Sequence, residues 1–443
     1  MKFQLRFAAF ALVTVLAFIH ARADDLPRHG VVGLTIAPPD TTRSEDPKTN
    51  PPTVKAIGPG SAAEAAGIQT GDILRKLDGE PVASSADFAE RIGRHLGGDR
   101  VAIVVQRGGR EITLSATLKP HPYETSPDAQ VLYRSVTVEG ARRRVIVTRP
   151  VNAGRYPAVL IMGGLGCYSL DGDQGPYGPV IAALARKNFV TMRVENTGEG
   201  DSEGPACTDA KATAELEAQG YIAGLRALKS YEFVDPAKIF VFAHSLGPLV
   251  GSLVLPREPV RGFIAAETIG RSWFEYMLEN VRRQFALAGQ PPDEVDDAVR
   301  VHERCAHEFF VLHRPSDEVS RLAPQCAEMI DSFAGVPSTF MQQIGDISLA
   351  RQWKQVDIPV LVLYGTSDPA TSADEGQYLV ELINRQHPGR ATYVELRGMG
   401  HDFNRYDSQV DFMTRRTYPA KPHPFDEEVV EAVLKWLAQQ LQP

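Results

Sequence analysis

The chain has 443 residues, about three domains' worth at roughly 150 residues each, and its 43% hydrophobic and 23% charged content is that of a folded protein. This composition excludes a disordered or fibrous chain. The 47 basic and 55 acidic residues give a net charge of −8, so nucleic acid is not an expected partner, because affinity for its phosphate backbone comes mainly from Lys and Arg.

The N-terminal residues 1–23 have the three parts of a secretory signal peptide. Lys2 and Arg6 precede an apolar run over residues 7–19, and Ala21-Arg22-Ala23 has the A-x-A form of a cleavage site. This run is too short to cross a hydrocarbon layer ~30 Å thick, and no later stretch approaches the ~20 apolar residues of a spanning helix. We therefore expect a secreted or periplasmic protein with no membrane span after cleavage; an uncleaved anchor is the alternative.

Four cysteines in an exported protein indicate up to two disulfides, which three connectivities could form. Proximity in the sequence favours Cys167 with Cys207, and Cys305 with Cys326. The first pairing is also favoured because both residues would follow neighbouring strands of the sheet predicted below.

Residues 30–120 are predicted to form a small module of short strands and helices. Two glycines flank a one-turn, Ala-rich helix over residues 61–67. A strand over residues 73–77, an amphipathic helix over residues 85–96, and strands over residues 101–106 and 111–118 follow. The spacing of the apolar residues in the helix places three of them on one face: Phe88, Ile92 and Leu96.

This pattern resembles a PDZ domain of the circularly arranged kind found in bacterial envelope proteases. The resemblance implies that a loop and the following strand capture an extended peptide or protein C-terminus by strand addition, with backbone N–H groups receiving the carboxylate. The helix over residues 85–96 is the expected opposite wall. The matching positions of the loop and strand are Val32, Gly33, Leu34, Thr35 and Ile36. A module that only docks on its neighbour is the alternative interpretation.

A linker over residues 121–130 is expected to lead to a second module over residues 131–443. After two alternating strands, almost wholly apolar runs alternate with helical segments, which indicates an α/β fold with a mostly parallel sheet covered on both faces. The runs lie at residues 158–162, 190–194, 239–243, 262–266 and 360–364, and the helices between them include residues 179–187 and 212–230.

The segment after the third apolar run resembles the nucleophile elbow G-x-S-x-G of the α/β-hydrolase family. It reads Ala243-His244-Ser245-Leu246-Gly247, with Ala in place of the first Gly. Small residues are needed there because the tight turn brings strand and helix close together. The resemblance implies that Ser245 is the nucleophile and that the Leu246 N–H faces a developing oxyanion.

The partners of such a serine follow in the order that the family uses, serine, then acid, then histidine. Asp368 follows the strand over residues 358–364, and His401 follows the strand over residues 391–396. A serine hydroxyl becomes a good nucleophile when an imidazole removes its proton and a carboxylate holds the imidazole tautomer. Asp368 as a loop-capping residue only, or Asp402 as the acid, are the alternatives.

Two loops with several glycines follow the first two central strands. Gly163-Gly164-Leu165-Gly166 resembles the family's H-G-x-G segment, which implies that the Leu165 N–H, or alternatively that of Gly166, is the second oxyanion donor. The loop at residues 196–204 has G-x-G-x-x-x-G spacing and several acidic residues, so it does not predict a phosphate site. No cofactor is expected.

Residues 270–355 are predicted to be a helical insertion at the place where the family carries a cap over the active site. A helical ornament with its own core is the alternative. Its cysteine and histidines do not predict a metal site, because the H-E-x-x-H pattern lacks its second His at Val311. These residues are His302, Cys305, His307 and His313.

The family resemblance implies hydrolysis through an acyl-enzyme intermediate. We expect a carboxylic ester hydrolase acting on a small-molecule ester. A serine peptidase acting on peptides or on protein tails presented by the PDZ module uses the same residues, so it is a second hypothesis. A catalytically silent scaffold is a third.

Overall fold

A computed structural model of the protein describes residues 26–37, 52–172, 175–417 and 423–442. The predicted signal peptide, residues 1–23, lies outside these ranges. None of the helices within them combines the length and the hydropathy that crossing a membrane requires.

The N-terminal module consists, in its described part, of small antiparallel sheets and two helices. Strands β4 to β7 form one sheet in the order β5-β4-β6-β7, while β2 pairs with β3 and β1 pairs with β8. In chain order the elements are β1 (Gly30–Val31), β2 (Leu34–Ile36), β3 (Val54–Ile57), α1 (Ala62–Ala66), β4 (Ile73–Leu77), β5 (Glu80–Pro81), α2 (Ser85–Gly93), β6 (Arg100–Arg107), β7 (Arg110–Thr117) and β8 (Lys119–Pro120).

Helix α2 is shorter than the sequence predicts. The Ser84 hydroxyl caps its first turn, and the helix ends at Gly93, three residues before the predicted end, because glycine is a poor helix former. Phe88 and Ile92 are buried in the core of the module, as predicted for one face. Leu96 lies beyond the helix and is 41% exposed, so its prediction as a third member of that face is wrong.

An eight-stranded sheet forms the centre of the C-terminal module. Its strands are β9 (Ala129–Val138), β10 (Ala141–Pro150), β11 (Tyr156–Met162), β12 (Val190–Val194), β13 (Val234–His244), β14 (Gly262–Ala266), β15 (Val360–Gly365) and β16 (Ala391–Leu396). Their order is β16-β15-β14-β13-β11-β12-β10-β9. Strands β11 to β16 run parallel to one another, and β10 runs antiparallel to both of its neighbours. The carboxyl ends of β11 to β16 therefore lie at one edge.

Helices cover both faces of this sheet. Successive side chains of a strand point to opposite faces of the sheet. Along β13, Val241 and Ala243 therefore belong to the core on one face. Phe240 and Phe242 belong to the core on the other face. Helices α4, α5 and α12 contribute to the first core, and α3 and α14 to the second. The helices of this module are α3 (Tyr177–Arg186), α4 (Ala214–Ser230), α5 (Gly247–Val254), α6 (Trp273–Leu287), α7 (Pro292–Ala306), α8 (Ser316–Ser320), α9 (Pro324–Asp331), α10 (Ser338–Asp346), α11 (Leu349–Trp353), α12 (Ala373–Gln386), α13 (Gln409–Thr417) and α14 (Glu427–Gln440).

Helices α6 to α11 form the insertion between β14 and β15, together with a π-helical turn at His307–Val311. Its interior contains three aromatic rings in mutual contact, those of Phe309, Phe310 and Phe333. The first helix, α6, also contacts the loop after β15, because Asn280 Nδ2 donates to the Ala370 carbonyl at 2.8 Å. The buried residues of the insertion thus continue the core on one face of the sheet, so the alternative of a separate core is wrong, and the insertion also contacts the loop that contains Asp368.

Both disulfides favoured by sequence proximity are present. Cys167 pairs with Cys207, and this bond joins the loop after β11 to the loop after β12. Cys305 pairs with Cys326, and this bond joins α7 to α9 inside the insertion.

Arg28 connects the start of the N-terminal module to the C-terminal module. Its guanidinium is 6% exposed and bonds to Asp201, and its Nη2 lies 2.6 Å from Asp171 Oδ2. The rings of Tyr123 and Tyr133 each lie 4.7 Å from Arg28 Cζ. A charge buried in this way requires its carboxylate partners, and this ion cluster lies at the contact between the two modules.

Candidate active site

Ser245 occupies a tight turn between β13 and α5. Its φ is 58°, a left-handed conformation that is costly for a residue with a side chain. Strand β13 ends at His244 and α5 begins at Gly247, so the turn is very short. A Cβ at Gly247 would lie 2.9 Å from the Gly163 carbonyl oxygen, which explains the need for glycine there. The turn presents Ser245 at the carboxyl edge of the sheet.

Ser245, His401 and Asp368 form a chain of hydrogen-bonding distances. His401 Nε2 lies 3.0 Å from Ser245 Oγ, and His401 Nδ1 lies 2.9 Å from Asp368 Oδ2. Because a carboxylate can only accept, Nδ1 carries the ring proton and Nε2 is left to accept from the serine hydroxyl. The three residues come from the loops after β13, β15 and β16, as the sequence motifs predict.

Asp368 is completely buried and retains its charge. Burial by itself would raise the pKa of Asp368, but His401 and the hydrogen bonds at the carboxylate outweigh burial and hold the pKa below its ordinary range. The Ala370 N–H donates to Asp368 Oδ1 at 2.6 Å. The alternative acid, Asp402, accepts instead from Asn404 and Tyr406.

Glu267 is a buried neighbour of this site that sequence reasoning missed. It directly follows β14, has a φ of 47° and is fully buried. Burial, and after it the charge of Asp368, raise the pKa of Glu267 well above its ordinary value. The neutral carboxyl can donate a hydrogen bond to Asp368. An acidic residue at the end of an apolar strand was the available signal.

The loop after β11 packs directly against the serine. A Cβ at Gly164 would lie 3.1 Å from Ser245 Cβ, so glycine permits this approach. The Gly164 N–H lies 2.9 Å from Tyr168 Oη and 3.0 Å from Tyr177 Oη. In the described part of the chain, the N–H groups of Leu165 and Leu246 donate no hydrogen bond. These are the two amides that the sequence favours as oxyanion donors. The Gly166 N–H, the alternative to Leu165, also donates no hydrogen bond in the described part of the chain.

A cavity lies beside this loop and contains about 590 Å³ of open space, part of which reaches solvent. Leu165 and Leu246 line it, so the two unpaired amides belong to residues of its wall. Val336 and Phe340 of the insertion also line it. Polar groups lie along the same wall, contributed by Asn196, Thr197, Thr213, Glu217 and Tyr221. A mostly apolar cavity with a few polar groups is the usual form of a small-molecule site.

The residues predicted to bind a peptide lie at the start of the N-terminal module. The Val32 side chain is buried in the core of that module, and Gly33 has a φ of 76°. Leu34, Thr35 and Ile36 form β2, which pairs with β3 on one side. The predicted opposite wall, α2, belongs to the same module.

Two of the three histidines of the insertion have partners within the protein. His302 Nδ1 lies 2.9 Å from the Ala298 carbonyl oxygen, and His313 Nε2 lies 3.1 Å from Asp346 Oδ1. Cys305 is in a disulfide, so its thiolate is not available as a ligand. Among the described residues, Glu267, Asp368 and His401 place ligand atoms within 4.8 Å of one another, but these groups already bond within the site.

Comparison with known proteins identifies both modules. Residues 41–118 match the model of the PDZ domain, and residues 159–412 match the model of the alpha/beta hydrolase family. Esterase EstD of Thermotoga maritima is 20% identical over 313 residues, which cover 69% of this chain and 67% of EstD.

A second relative matches a much shorter part of the chain. The probable periplasmic serine endoprotease DegP-like of a Marinomonas species is 31% identical over 83 residues, which cover 19% of this chain and 18% of that protein. Among solved structures, Est1E from Butyrivibrio proteoclasticus is 15% identical, with a TM-score of 0.44, and the match covers 71% of this chain and 99% of that one. The chain belongs to the alpha/beta hydrolase family and carries a PDZ domain in front of the hydrolase fold.

Proposed function

We propose that the protein is an exported serine hydrolase that cleaves carboxylic esters. The observation that carries this proposal is the chain of distances from Asp368 through His401 to Ser245, beside two amides without a hydrogen-bond partner in the described structure. A nucleophile, a base, an orienting carboxylate and oxyanion donors are the groups that acyl transfer requires. No metal ion or cofactor takes part in the proposed reaction.

In the proposed mechanism His401 Nε2 removes the proton of Ser245 Oγ as that oxygen attacks the ester carbonyl. Asp368 holds the His401 tautomer and stabilises the imidazolium that forms. The imidazolium then gives its proton to the leaving alcohol as the carbon–oxygen bond breaks. Water attacks the resulting acyl-enzyme with His401 again as base, which releases the acid and restores the serine.

The Leu165 and Leu246 amides are the proposed oxyanion donors. Both are without a partner in the described structure, and Leu246 lies at the start of α5, where backbone N–H groups point out of the helix. Donors that are fixed before the reaction stabilise the negative oxygen without reorganisation. Gly164 is not a donor in this proposal, because two tyrosine hydroxyls already occupy its N–H.

The cavity beside the loop is the proposed acyl pocket. Its wall combines the oxyanion residues with Val336 and Phe340, so residues of the insertion would contact the acyl group. We therefore propose that helices α6 to α11, within residues 270–355, act as a cap. The contact of α6 with the loop after β15 supports this role, because the cap then adjoins the loop of Asp368.

Ester cleavage is favoured over peptide cleavage because the match to an esterase covers much more of the chain than the match to an endoprotease. The likeness to an esterase runs over 69% of this chain, whereas the likeness to the periplasmic endoprotease is confined to 19% of it. The protease relatives therefore support a recruiting role for the PDZ domain, through residues 32–36, and not the hydrolytic reaction. The peptidase remains the second candidate, because a PDZ domain can present peptide tails.

Export is proposed from three features. Residues 1–23 have the pattern of a cleavable signal peptide, and the two disulfides suit an oxidising compartment. A relative named as a probable periplasmic endoprotease matches 83 residues of the chain. We propose a mature chain in which the PDZ domain spans residues 30–120, a linker spans residues 121–130 and the hydrolase module spans residues 131–443. Strand β9 begins at Ala129, so it takes the last two residues of the predicted linker.

The test compares two substrate series on the same mature protein. p-Nitrophenyl esters of increasing acyl length are set against aminoacyl and peptidyl p-nitroanilides. The proposal predicts that kcat/KM is far higher for the best ester and depends on acyl length. Efficient cleavage of the anilides with weak ester turnover would support the peptidase hypothesis. No turnover of either series would support the hypothesis of a catalytically silent scaffold.

A further inference from the structure

His244, the residue before Ser245, is buried between the two loops that flank the serine. Its Nε2 lies 2.9 Å from the backbone carbonyl oxygen of His401, and its Nδ1 lies 2.9 Å from Tyr177 Oη. The side chain is 5% exposed, and its ring also lies against the rings of His401 and Phe403. These two partners determine which ring nitrogen of His244 carries a hydrogen.

The His401 carbonyl oxygen can only accept, so His244 Nε2 carries a hydrogen and donates it. Burial, and then the neighbouring His401, lower the pKa of His244 to about 3, so the ring is neutral at ordinary pH. A neutral imidazole with its hydrogen on Nε2 has a lone pair on Nδ1. Tyr177 therefore donates its hydroxyl hydrogen to His244 Nδ1.

Tyr177 continues the same chain to the loop of the proposed oxyanion donors. Its oxygen has given its one hydrogen to His244, so it can only accept from the Gly164 N–H at 3.0 Å. Burial raises the pKa of Tyr177 well above its ordinary value, so the hydroxyl keeps this hydrogen. The donation runs in one direction, from the Gly164 amide through Tyr177 and His244 to the His401 carbonyl.

We propose that Tyr177 and His244 are positioning residues that hold the oxyanion loop and the His401 loop in the relative arrangement that Ser245 needs for acylation. This inference rests on the proposed function. The chain spans long separations in sequence, 67 residues between Tyr177 and His244 and 157 between His244 and His401. It joins the backbone of both loops to the residue next to the nucleophile.

Two consequences for the reaction follow from this arrangement. The Gly164 amide donates to Tyr168 and Tyr177 and is held away from the oxyanion, whereas the next amide, that of Leu165, has no partner in the described structure. The His401 ring, which receives a proton during the reaction, has its centre 4.9 Å from that of His244. A neutral His244 at that distance does not repel the imidazolium as a cation would.

The first variant, Tyr177→Phe, removes one oxygen and keeps the buried ring. We expect kcat for the best p-nitrophenyl ester to fall between about tenfold and a hundredfold, less than the ~10²–10³-fold loss of a direct oxyanion donor, with KM within about threefold. A trifluoromethyl ketone, which adds to the serine oxygen and forms an oxyanion, should bind more weakly by a similar factor. Tyr393→Phe removes a hydroxyl that bonds only to Glu395 in the described structure and should leave both quantities unchanged.

A pair of variants at His244 tests the second residue. The Gln carboxamide has one acceptor and one donor about as far apart as the two ring nitrogens, whereas Leu has neither. We expect His244→Gln to retain at least about tenfold more kcat than His244→Leu. A residue that only fills space would give the opposite order, because Leu suits a buried apolar site better than Gln.

The outcomes separate this inference from the proposed function. An active wild-type protein whose Tyr177→Phe variant keeps kcat and ketone affinity within twofold would overturn the positioning role and leave the esterase intact. A higher kcat in His244→Leu than in His244→Gln, with both variants folded, would also overturn the positioning role. An inactive wild-type protein would instead reject the proposed function, and the thermal melting curves of all variants show whether each one is folded.

Discussion

At the scale of single residues, the site combines a charged acid and a neutral acid within one buried cluster. Asp368 keeps its charge because His401 and several donors surround it, while Glu267 is held neutral by burial and by that same charge. Two buried carboxyl groups in contact cannot both ionise without a large cost. Asp368 is therefore the one negative partner of His401 in this pair. The neutral Glu267 carboxyl can donate a hydrogen bond to Asp368.

Replacing Asp368 with Asn should abolish most of the activity. An amide in this position favours the wrong His401 tautomer, and we expect kcat to fall by about 10⁴-fold with little change in KM. Asp402→Asn is the matched control, because Asp402 is next to His401 in sequence but bonds to Asn404 and Tyr406. Steady-state kinetics on a p-nitrophenyl ester measures both. A larger loss in Asp402→Asn would make Asp402 the acid.

His244 should also make the protein sensitive to acid. Its pKa is about 3 in the folded state, against ~6.5 in an unfolded chain, so between these values the unfolded chain binds a proton that the folded chain does not. The free energy of unfolding therefore decreases as the pH falls through this window, by up to ~1.4 kcal/mol per pH unit. The titratable groups that act on the His244 ring are Tyr177, His401 and Asp368.

Urea denaturation of wild type and His244→Gln at pH 7 and at pH 4.5 checks this sensitivity. The decrease between the two pH values should be smaller in the variant, which has no imidazole to protonate. Equal decreases in both proteins would show that His244 does not take up the proton on unfolding.

At the scale of elements, the proposed reacting groups lie on loops at the carboxyl edge of the sheet. The alternation of apolar runs and helices predicts this sheet from the sequence, and Ser245, Asp368 and His401 all lie within about five residues of the end of a strand. A strand end is a local feature, so these residues could be found without knowledge of packing. Helix α2 ends three residues before its predicted end, because the weak helix propensity of Gly93 opposes a further turn.

The two disulfides should have different effects on activity. They close segments of 40 and 21 residues, so loss of either should reduce the free energy of unfolding by roughly 3–4 kcal/mol in the chain-entropy account. Only the first bond holds the oxyanion loop, because Cys167 directly follows Gly166. We expect Cys167→Ser with Cys207→Ser to lower kcat as well as stability.

The second pair, Cys305→Ser with Cys326→Ser, is the matched control and should lower stability with a much smaller change in kcat. Denaturant midpoints and ester kinetics at a temperature where both variants are folded measure the two effects. Equal loss of kcat in the two double variants would contradict a specific role of the first disulfide at the site.

At the scale of the whole molecule, the two modules are joined by buried charges. Arg28 bonds to Asp201 across 173 residues of sequence, and the Glu124 carboxylate, in the predicted linker, contacts the Arg193 guanidinium at 2.7 Å. No local pattern marks such pairs, and the same is true of Tyr177 with His244. The sequence therefore predicts the reacting residues and the fold class, but not the contacts that hold loops and modules together.

Arg28→Gln should weaken the interface between the modules. The substitution leaves Asp171 buried without its arginine partner, whereas Asp201 keeps its ion pair with Arg144. Breaking a buried ion pair in this way costs roughly 3–5 kcal/mol. We expect a lower melting temperature and faster proteolysis within residues 121–130. Arg94→Gln removes an exposed pair with Glu90 and should change neither quantity. If Arg28→Gln and Arg94→Gln have the same melting temperature and the same rate of proteolysis, the interface does not depend on Arg28.

The central claim, that Ser245 is the nucleophile of an esterase, is tested most directly by one comparison. The hydrolysis of p-nitrophenyl butyrate is measured with the mature protein and with a Ser245→Ala variant whose melting curve matches the wild type. The account predicts turnover by the wild type and a loss of at least about 10³-fold in the variant, because the acyl-enzyme cannot form without the serine oxygen. Turnover that survives the substitution would contradict the account.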